Sequence, residues 1–159
     1  MRVGIGYDSH RFTAERKLIL GGVEIPHSQG LAGHSDADAV AHAITDAMLG
    51  AAALGDIGTH FPPASAQWQD ADSLDLLQRA SVLLEEQGYQ VVNVDVTVIC
   101  EQPKIGPHVP AMRERLAGAL GIGTRHVSVK GKSNEGMGWI GRGEGVAAIA
   151  TVLIATLEG

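Results

Sequence analysis

The chain has 159 residues, of which 45% are hydrophobic and 19% charged, a composition typical of a folded globular protein. Its 12 Lys and Arg residues against 18 Asp and Glu residues give a formal net charge of −6. This balance disfavours nucleic acid and anionic membrane surfaces as partners because both attract a basic face. We therefore expect one domain over residues 1–159 that binds neither.

Three features predict a cytoplasmic protein. The single cysteine, Cys100, excludes an intramolecular disulfide and fits a reducing compartment. Asp8 interrupts the N-terminal segment before a signal-peptide apolar region could develop. The most apolar stretch, Val146–Leu157, is shorter than the roughly 20 residues that a membrane helix requires.

Predicted strands and helices alternate along the chain. In order, they are a strand over Arg2–Tyr7, a hairpin of Lys17–Leu20 and Val23–Ile25, helices over Asp36–Leu54 and Ser73–Gln87, a strand over Gln90–Cys100, a helix over Pro107–Leu120, strands over Val127–Lys130 and Val146–Leu157. The first helix has Ser35 or Asp36 as its N-cap, and the last strand is also compatible with a helix. The pattern predicts an α/β or α+β two-layer sandwich.

A metal-ligand pattern connects the first strand with the first helix. Asp8 and His10 lie two residues apart, so the strand period places both side chains on one face. His42 belongs to a polar stripe on the helix, with Ser35, Asp38 and Asp46. Two histidines and a carboxylate suit a catalytic zinc ion or a non-haem iron(II) centre. The competing interpretation is that these are capping and surface residues.

Asp46 follows His42 by one helical turn and has three alternative roles. It could accept a hydrogen bond from the second ring nitrogen of His42, contact a substrate or cap a loop. The same alternatives apply to Asp38. Farther along, Gly-rich segments share letters with nucleotide-binding loops but lack their spacing and strand context. Their backbone can still approach phosphate oxygens, with Lys132 and Arg142 as cationic donors.

Motifs along essentially the whole chain resemble one enzyme family. They are Gly4–His10, Gly21–Pro26, Gly33–Asp38, Leu54–Gly58, Phe61–Pro62, Glu101–Lys104 and Gly141–Gly145. In this order they closely resemble the 2-C-methyl-D-erythritol 2,4-cyclodiphosphate synthase family. Several motifs in the same order along the chain are far stronger evidence of family membership than any one motif alone.

The resemblance implies a phosphorus–oxygen lyase of the non-mevalonate pathway of isoprenoid biosynthesis. Its reaction converts 4-diphosphocytidyl-2-C-methyl-D-erythritol 2-phosphate to 2-C-methyl-D-erythritol 2,4-cyclodiphosphate and releases CMP. The implied fold is a ferredoxin-like mixed sheet with helices on one face. The implied assembly is a cytosolic homotrimer with active sites between subunits.

The same resemblance implies roles for individual residues. Asp8, His10 and His42 would hold Zn²⁺, Glu135 would hold Mg²⁺ or Mn²⁺, and His34 and Ser133 would position the substrate and stabilise the transition state. Substrate contacts are implied for Asp8, His10, His34, Ser35, Asp56, Ile57, Gly58, Phe61, Pro62, Pro63, Ala64 and Ser65. Contacts to cytidine and diphosphate are implied for Cys100, Glu101, Gln102, Pro103, Lys104, Ile105, Gly106, Lys132, Ser133, Asn134 and Glu135. Trp139 and Arg142, with Glu144, are expected at a central trimer cavity that can hold an isoprenoid diphosphate.

Two details qualify the implied site. The family often carries acidic residues where this chain has Pro63, Ala64 and Ser65, so side-chain contacts from that loop are not assured. Cys100 is interpreted as a small residue beside the base pocket, because the chain has no pattern that supports a cysteine nucleophile.

The expected reaction is in-line attack of the 2-phosphate on the β-phosphorus, with CMP leaving. A phosphate monoester has a second pKa near 6, so the attacking group is largely ionised without a strong protein base. One alternative is a zinc phosphohydrolase that activates water. Another is a trimeric nucleotide-binding or isoprenoid-binding module without catalysis.

Overall fold

The computed structural model describes residues 1–157. Its strands are β1 (Arg2–Thr13), β2 (Leu18–Leu20), β3 (Val23–Ile25), β4 (Gly30–Leu31), β5 (Tyr89–Ile99), β6 (Val127–Lys132) and β7 (Gly145–Thr156). Its α-helices are α1 (Ala39–Ala51), α2 (Ile57–His60), α3 (Ser73–Glu86), α4 (Val109–Leu120) and α5 (Gly138–Gly141). Short 3-10 helices occupy Ala66–Trp68, Gly106–His108 and Thr124–His126.

Five strands form one mixed sheet in the order β4-β1-β7-β5-β6, and β2 pairs with β3 in a separate hairpin. β7 is antiparallel to β1 and β5, whereas β5 and β6 are parallel and joined through α4. The predicted mixed sheet in an α+β fold is confirmed. The connectivity differs from the ferredoxin-like β-α-β-β-α-β order, because β6 leads into β7, which inserts between β1 and β5.

The helix α1 packs on β1 at the centre of the molecule. Ten of its 13 residues are buried. Gly4 and Gly6 of β1 allow this contact, since a Cβ atom at either position would lie 1.9 Å from a carbonyl oxygen of Ala47 or Ala43. The backbones of strand and helix therefore touch, and a larger residue on this face would separate them.

The first helix is shorter than predicted at both ends. Asp38, rather than Ser35 or Asp36, is its N-cap, and its carboxylate accepts hydrogen bonds from the Val40 and Ala41 N–H groups. The same carboxylate accepts from Gly21 and Gly22 N–H at 2.9 and 2.7 Å, which attaches the β2–β3 turn to the helix start. Burial and the neighbouring charge of Asp36 raise the pKa of Asp38 to about 6.

Other sequence expectations hold with local changes. The predicted strand at Gln90–Cys100 is present as β5, but a bulge between Val91 and Asn93 buries Val91 in place of Val92. The last apolar segment is the strand β7 and not a helix. No helix in the described part of the chain is long and apolar enough to cross a membrane.

The sheet face opposite the helices carries large apolar side chains. Along β1, Val3, Ile5 and Tyr7 are 66%, 73% and 56% exposed, and Ile149 on neighbouring β7 is 38% exposed. Tyr7 and Ile149 are paired across the two strands. A contiguous apolar face of this kind is typical of an interaction surface.

We expect Gly6→Ala to lower the free energy of unfolding by at least about 2 kcal/mol, because the added methyl meets the α1 backbone rather than a flexible side chain. Urea denaturation followed by circular dichroism measures the change.

The matched control is Gly118→Ala in α4, where an added Cβ meets nothing within 4 Å. This variant should be neutral or more stable by up to about 1 kcal/mol, since alanine favours the helix. Equal unfolding midpoints for Gly6→Ala and the parent would contradict the packing argument.

Candidate functional site

Asp8, His10 and His42 converge where β1 and α1 cross. Asp8 Oδ2 lies 2.7 Å from His10 Nε2 and 3.1 Å from His42 Nδ1, and the two nitrogens are 3.4 Å apart. All three side chains are half-buried. The contact between Gly6 and the carbonyl of Ala43 sets this spacing. Gly6 lies two residues before Asp8 on β1, and Ala43 directly follows His42 on α1.

The electrostatics of the cluster keep Asp8 ionised. Burial disfavours the charge of Asp8, but the hydrogen bonds and positive charge of His10 and His42 outweigh burial and lower the pKa of Asp8 to about 2. Burial opposes protonation of His10 as well, yet Asp8 raises its pKa. The Asp8 carboxylate is therefore in the charge state that a metal ligand requires.

The donor set fits a divalent metal ion. One ligand atom from each of the three residues lies within 4.8 Å of the other two. The Nδ1 atom of His10 is 2.8 Å from the Ala32 carbonyl, which can only accept, so Nδ1–H donates to it and Nε2 is the His10 nitrogen that faces the cluster. Two imidazoles and one carboxylate leave a fourth position open, as in catalytic zinc sites.

A cavity of about 190 Å³ opens directly beside the metal ligands. Its lining residues are His10, His34, Ser35, His42, Ile57, Gly58, Phe61, Pro63, Trp68 and Leu76. The structure therefore brings six of the expected substrate contacts next to His10 and His42. Asp56, Pro62, Ala64 and Ser65 lie on the same loop without lining this cavity.

The loop that walls this cavity is held by two carboxylates. Asp46 accepts a hydrogen bond from the Ile57 N–H at 2.7 Å, so of its three alternatives it caps a loop. Asp56 caps α2 by accepting from the N–H and hydroxyl of Thr59. His34 Nε2 donates to the Ser65 carbonyl at 3.2 Å. Asp38, the α1 N-cap, likewise has a capping role.

A second cavity, of about 410 Å³, lies at the ends of β5 and β6. Its lining residues are Cys100, Lys104, Ile105, Gly106, Pro107, Gly131, Lys132 and Ser133. Two lysines with a glycine-rich wall can bind phosphate oxygens. Burial raises the pKa of the Cys100 thiol to about 11, so Cys100 is protonated at neutral pH and inert as a nucleophile.

Glu101 fixes the loop that follows β6. Its Oε1 atom accepts hydrogen bonds from the N–H groups of Asn134 and Gly136 at 2.6 and 3.3 Å. Between them, Glu135 has a left-handed φ of 54°, and its N–H donates to Ser133 Oγ at 3.2 Å. The clamp leaves the Glu135 side chain exposed, and Glu135 does not belong to the three-residue metal cluster found among residues 1–157.

A third cavity, of about 640 Å³, opens near the exposed sheet face. Trp139 and Glu144 line it together with Ser9, Arg11, Phe12 and Gln29. Arg142 does not line it but pairs with Glu144 at 2.8 Å.

The first two cavities share no lining residue and lie apart in one chain. Ser9, Ala147, Ile99 and Lys132 form one row across β1, β7, β5 and β6. Three strand spacings of about 4.8 Å place Lys132 roughly 14 Å from the metal ligands. One chain therefore carries two separate cavities at the same end of its sheet.

Sequence reasoning missed four residues around the metal ligands. Trp68 and Leu76 line the small cavity, and Asp36 and Ser73 form hydrogen bonds behind His42. Ser73 follows the N-cap Asp72, a pattern that indicates a helix start and carries no signal of a metal site. Asp36 and Ser73 approach His42 because α3 packs against α1.

Comparisons with known proteins agree along the whole chain. The YgbB family model matches residues 1–155. A 2-C-methyl-D-erythritol 2,4-cyclodiphosphate synthase of Symbiobacterium thermophilum is 60% identical, with 98% of this chain and 99% of the relative aligned. The synthase of the same name from Neisseria gonorrhoeae is 57% identical, over 99% and 98% of the two chains.

The fold of the chain is also similar to solved structures. The bifunctional IspDF of Campylobacter jejuni superposes with a TM-score of 0.95 at 38% identity, covering 99% of this chain and 42% of that one. IspF of Plasmodium falciparum in complex with CDP superposes with a TM-score of 0.86 at 34% identity, covering 99% and 97%. The chain thus belongs to the YgbB family, together with these 2-C-methyl-D-erythritol 2,4-cyclodiphosphate synthases.

Proposed function

We propose that the chain converts 4-diphosphocytidyl-2-C-methyl-D-erythritol 2-phosphate to 2-C-methyl-D-erythritol 2,4-cyclodiphosphate and CMP. Family membership supports the overall reaction. The observation that carries it is the triad of Asp8, His10 and His42 beside a cavity lined by His34, within a chain that also has a separate lysine-lined phosphate cavity. The reaction joins two phosphate groups of the substrate, the 2-phosphate and the diphosphate. The metal ligands beside the first cavity and the lysines of the second can each bind one of these groups.

The reaction needs positioning more than a base. The 2-phosphate is largely dianionic at neutral pH and is itself the nucleophile. What opposes the reaction is repulsion between the 2-phosphate and the diphosphate, so holding both in line supplies much of the acceleration. In this proposal His34 and Ser133 hold the reacting groups, while Lys104 and Lys132 reduce the negative charge of the diphosphate.

Two metal ions complete the proposal. Asp8, His10 and His42 would hold Zn²⁺, for which their nitrogen and oxygen donors are suitable. Glu135 would hold Mg²⁺ or Mn²⁺ together with substrate phosphate oxygens, the usual arrangement for a hard cation bound by one carboxylate. When bound, such ions polarise phosphoryl oxygens and stabilise charge that develops in the transition state. Ser35, Asp56 and the loop 61–65 would enclose the methylerythritol phosphate.

We propose that three copies of the chain assemble and that each active site combines halves from two subunits. The exposed apolar face of β1 and β7 supports this assembly, because its burial would be favourable. The roughly 14 Å between the metal ligands and Lys132 supports sharing, since a partner's lysine cavity could close on the metal cavity of its neighbour. Closed cyclic symmetry would give three equivalent sites.

The third cavity supports a separate proposal within the trimer. Trp139 and Glu144 line it, and Arg142 pairs with Glu144. Tyr7, on the apolar sheet face, precedes the lining residue Ser9 by two positions on β1. Aromatic and apolar side chains beside a guanidinium can hold a prenyl chain with its diphosphate at Arg142. We propose an isoprenoid diphosphate as the ligand at this position.

The function is tested with the cytidine-linked substrate in ¹⁸O-labelled water, with Zn²⁺ and Mg²⁺ present. We expect equimolar CMP and cyclic diphosphate, seen by ³¹P NMR, with no solvent oxygen in either product. A zinc phosphohydrolase would place ¹⁸O in a product, and a binding module would bind CDP without turnover.

We expect His42→Ala to lower zinc affinity by more than about 100-fold and to abolish CMP release, because loss of a ligand exceeds the roughly 10–100-fold cost of losing a hydrogen bond to one. Metal content and competition with a chelator measure the affinity. His27→Ala, at an exposed histidine, is the matched control and should retain both zinc and activity. Unchanged zinc content in His42→Ala would remove the metal assignment.

Shared sites predict complementation between two inactive variants. We expect His42→Ala and the double variant Lys132→Ala with Ser133→Ala each to be inactive alone. When they are co-expressed equally, random cyclic assembly should restore about one quarter of the parental activity, because one interface in four joins two intact halves. CMP release by the purified mixture measures the recovery. No recovery in mixed trimers would place each site within a single chain.

A further inference from the structure

A chain of hydrogen bonds leads from His42 away from the metal cleft into the protein. The Nδ1 atom of His42 faces Asp8, while its Nε2 atom lies 2.8 Å from the hydroxyl oxygen of Ser73. Ser73 is 0% exposed, and its hydroxyl contacts the Oδ1 atom of Asp36. Neither Asp36 nor Ser73 lines the cavity beside the metal ligands.

The direction of these hydrogen bonds follows from the chemistry of each group. The Asp36 carboxylate accepts from the N–H groups of Ser73 and Asp38, at 3.0 and 3.1 Å, so it is held as an acceptor that faces α3. The single hydroxyl proton of Ser73 is then directed at Asp36. The Ser73 oxygen remains as an acceptor, and the group opposite it, His42 Nε2, must donate.

Ser35 supplies a second oxygen beside the same ring nitrogen. Its Oγ atom lies 3.2 Å from His42 Nε2 and accepts from the Ala37 N–H at 3.2 Å. Ser35 and Ser73 are both buried and their oxygens are 3.5 Å apart. Two hydroxyl oxygens therefore surround one ring N–H, and the shorter contact is to Ser73.

We infer that Asp36 and Ser73 are positioning residues for the metal centre. Ser73, held by Asp36, accepts the hydrogen bond from His42 Nε2–H, which fixes the ring so that Nδ1 is the atom that faces Asp8 and His10 and would bind the ion. The inference rests on the proposed metal centre and assigns these two residues a part in it. Ser73 belongs to the first turn of α3 and Asp36 to the segment before α1, so the metal ligand is oriented by the contact between two helices.

This arrangement has a measurable consequence for metal binding. A neutral imidazole without a fixed partner exchanges its proton between both nitrogens and rotates more freely, and only one of the resulting forms can bind the ion through Nδ1. Loss of the partner of a metal-binding histidine typically costs about 10–100-fold in metal affinity. Ser73 is the better position for a test, because Asp36 also accepts from two backbone N–H groups.

The experiment compares the full-length parent with Ser73→Ala and with the matched control Ser81→Ala, another buried serine on α3. Proton NMR on the zinc-loaded protein measures how fast the Nε2–H of His42 exchanges with solvent, which reports its hydrogen bond to Ser73. Chelator competition then reports the zinc dissociation constant, and thermal melting confirms that each variant is folded.

We expect a slowly exchanging His42 Nε2–H in the parent and in Ser81→Ala, and faster exchange in Ser73→Ala. Zinc affinity should fall about 10–100-fold in Ser73→Ala alone. Unchanged Nε2–H exchange, an unchanged zinc affinity in folded Ser73→Ala, or an equal loss in Ser81→Ala would overturn the inference. A parent that binds no zinc would instead overturn the metal centre, while the same exchange measurement on the metal-free protein would still test the contact between Ser73 and His42.

Discussion

The close packing of α1 on β1 is the constraint on which the candidate site depends. Gly4 and Gly6 leave no room for a side chain between strand and helix, so the helix backbone rests on the strand. His42 adjoins Ala43, whose carbonyl faces Gly6, and Asp8 lies two residues beyond Gly6. A shift of about 1 Å in this contact would separate ligand atoms that now lie within hydrogen-bond distance.

Three carboxylates connect the packed pair of β1 and α1 to the neighbouring elements. Asp38 connects the β2–β3 turn to α1, Asp46 connects α1 to Ile57 at the start of α2, and Asp36 connects the segment before α1 to α3. Each accepts backbone N–H groups, which compensates for burial of its charge. The acidic residues near Asp8, His10 and His42 thus orient the backbone. The net charge of −6 describes the whole chain rather than the single cavity that Lys104 and Lys132 line.

Much of the fold follows from local pattern. The alternation within β5, the glycine pair of the β2–β3 turn and the capping residues of the helices predicted most elements to within a few residues. Errors occur where tertiary contacts compete with local signals. Ser35 and Asp36 are good N-cap residues, yet Asp38 caps α1 because it also reaches the N–H groups of Gly21 and Gly22. The bulge at Val91 follows from pairing with β7 and has no local signature.

The sequence by itself determined the ligand types, since Asp8, His10 and His42 have a strand and helix spacing compatible with one metal ion, and collinear motifs identified the family. Only the tertiary structure decided how these residues are oriented and completed. The order of the strands placed Lys132 about 14 Å from Asp8 and His10, so the lysine-lined cavity is separate from the cavity beside these residues. Packing of α3 against α1 brought Ser73 to His42, a contact between residues 31 positions apart that no local pattern encodes.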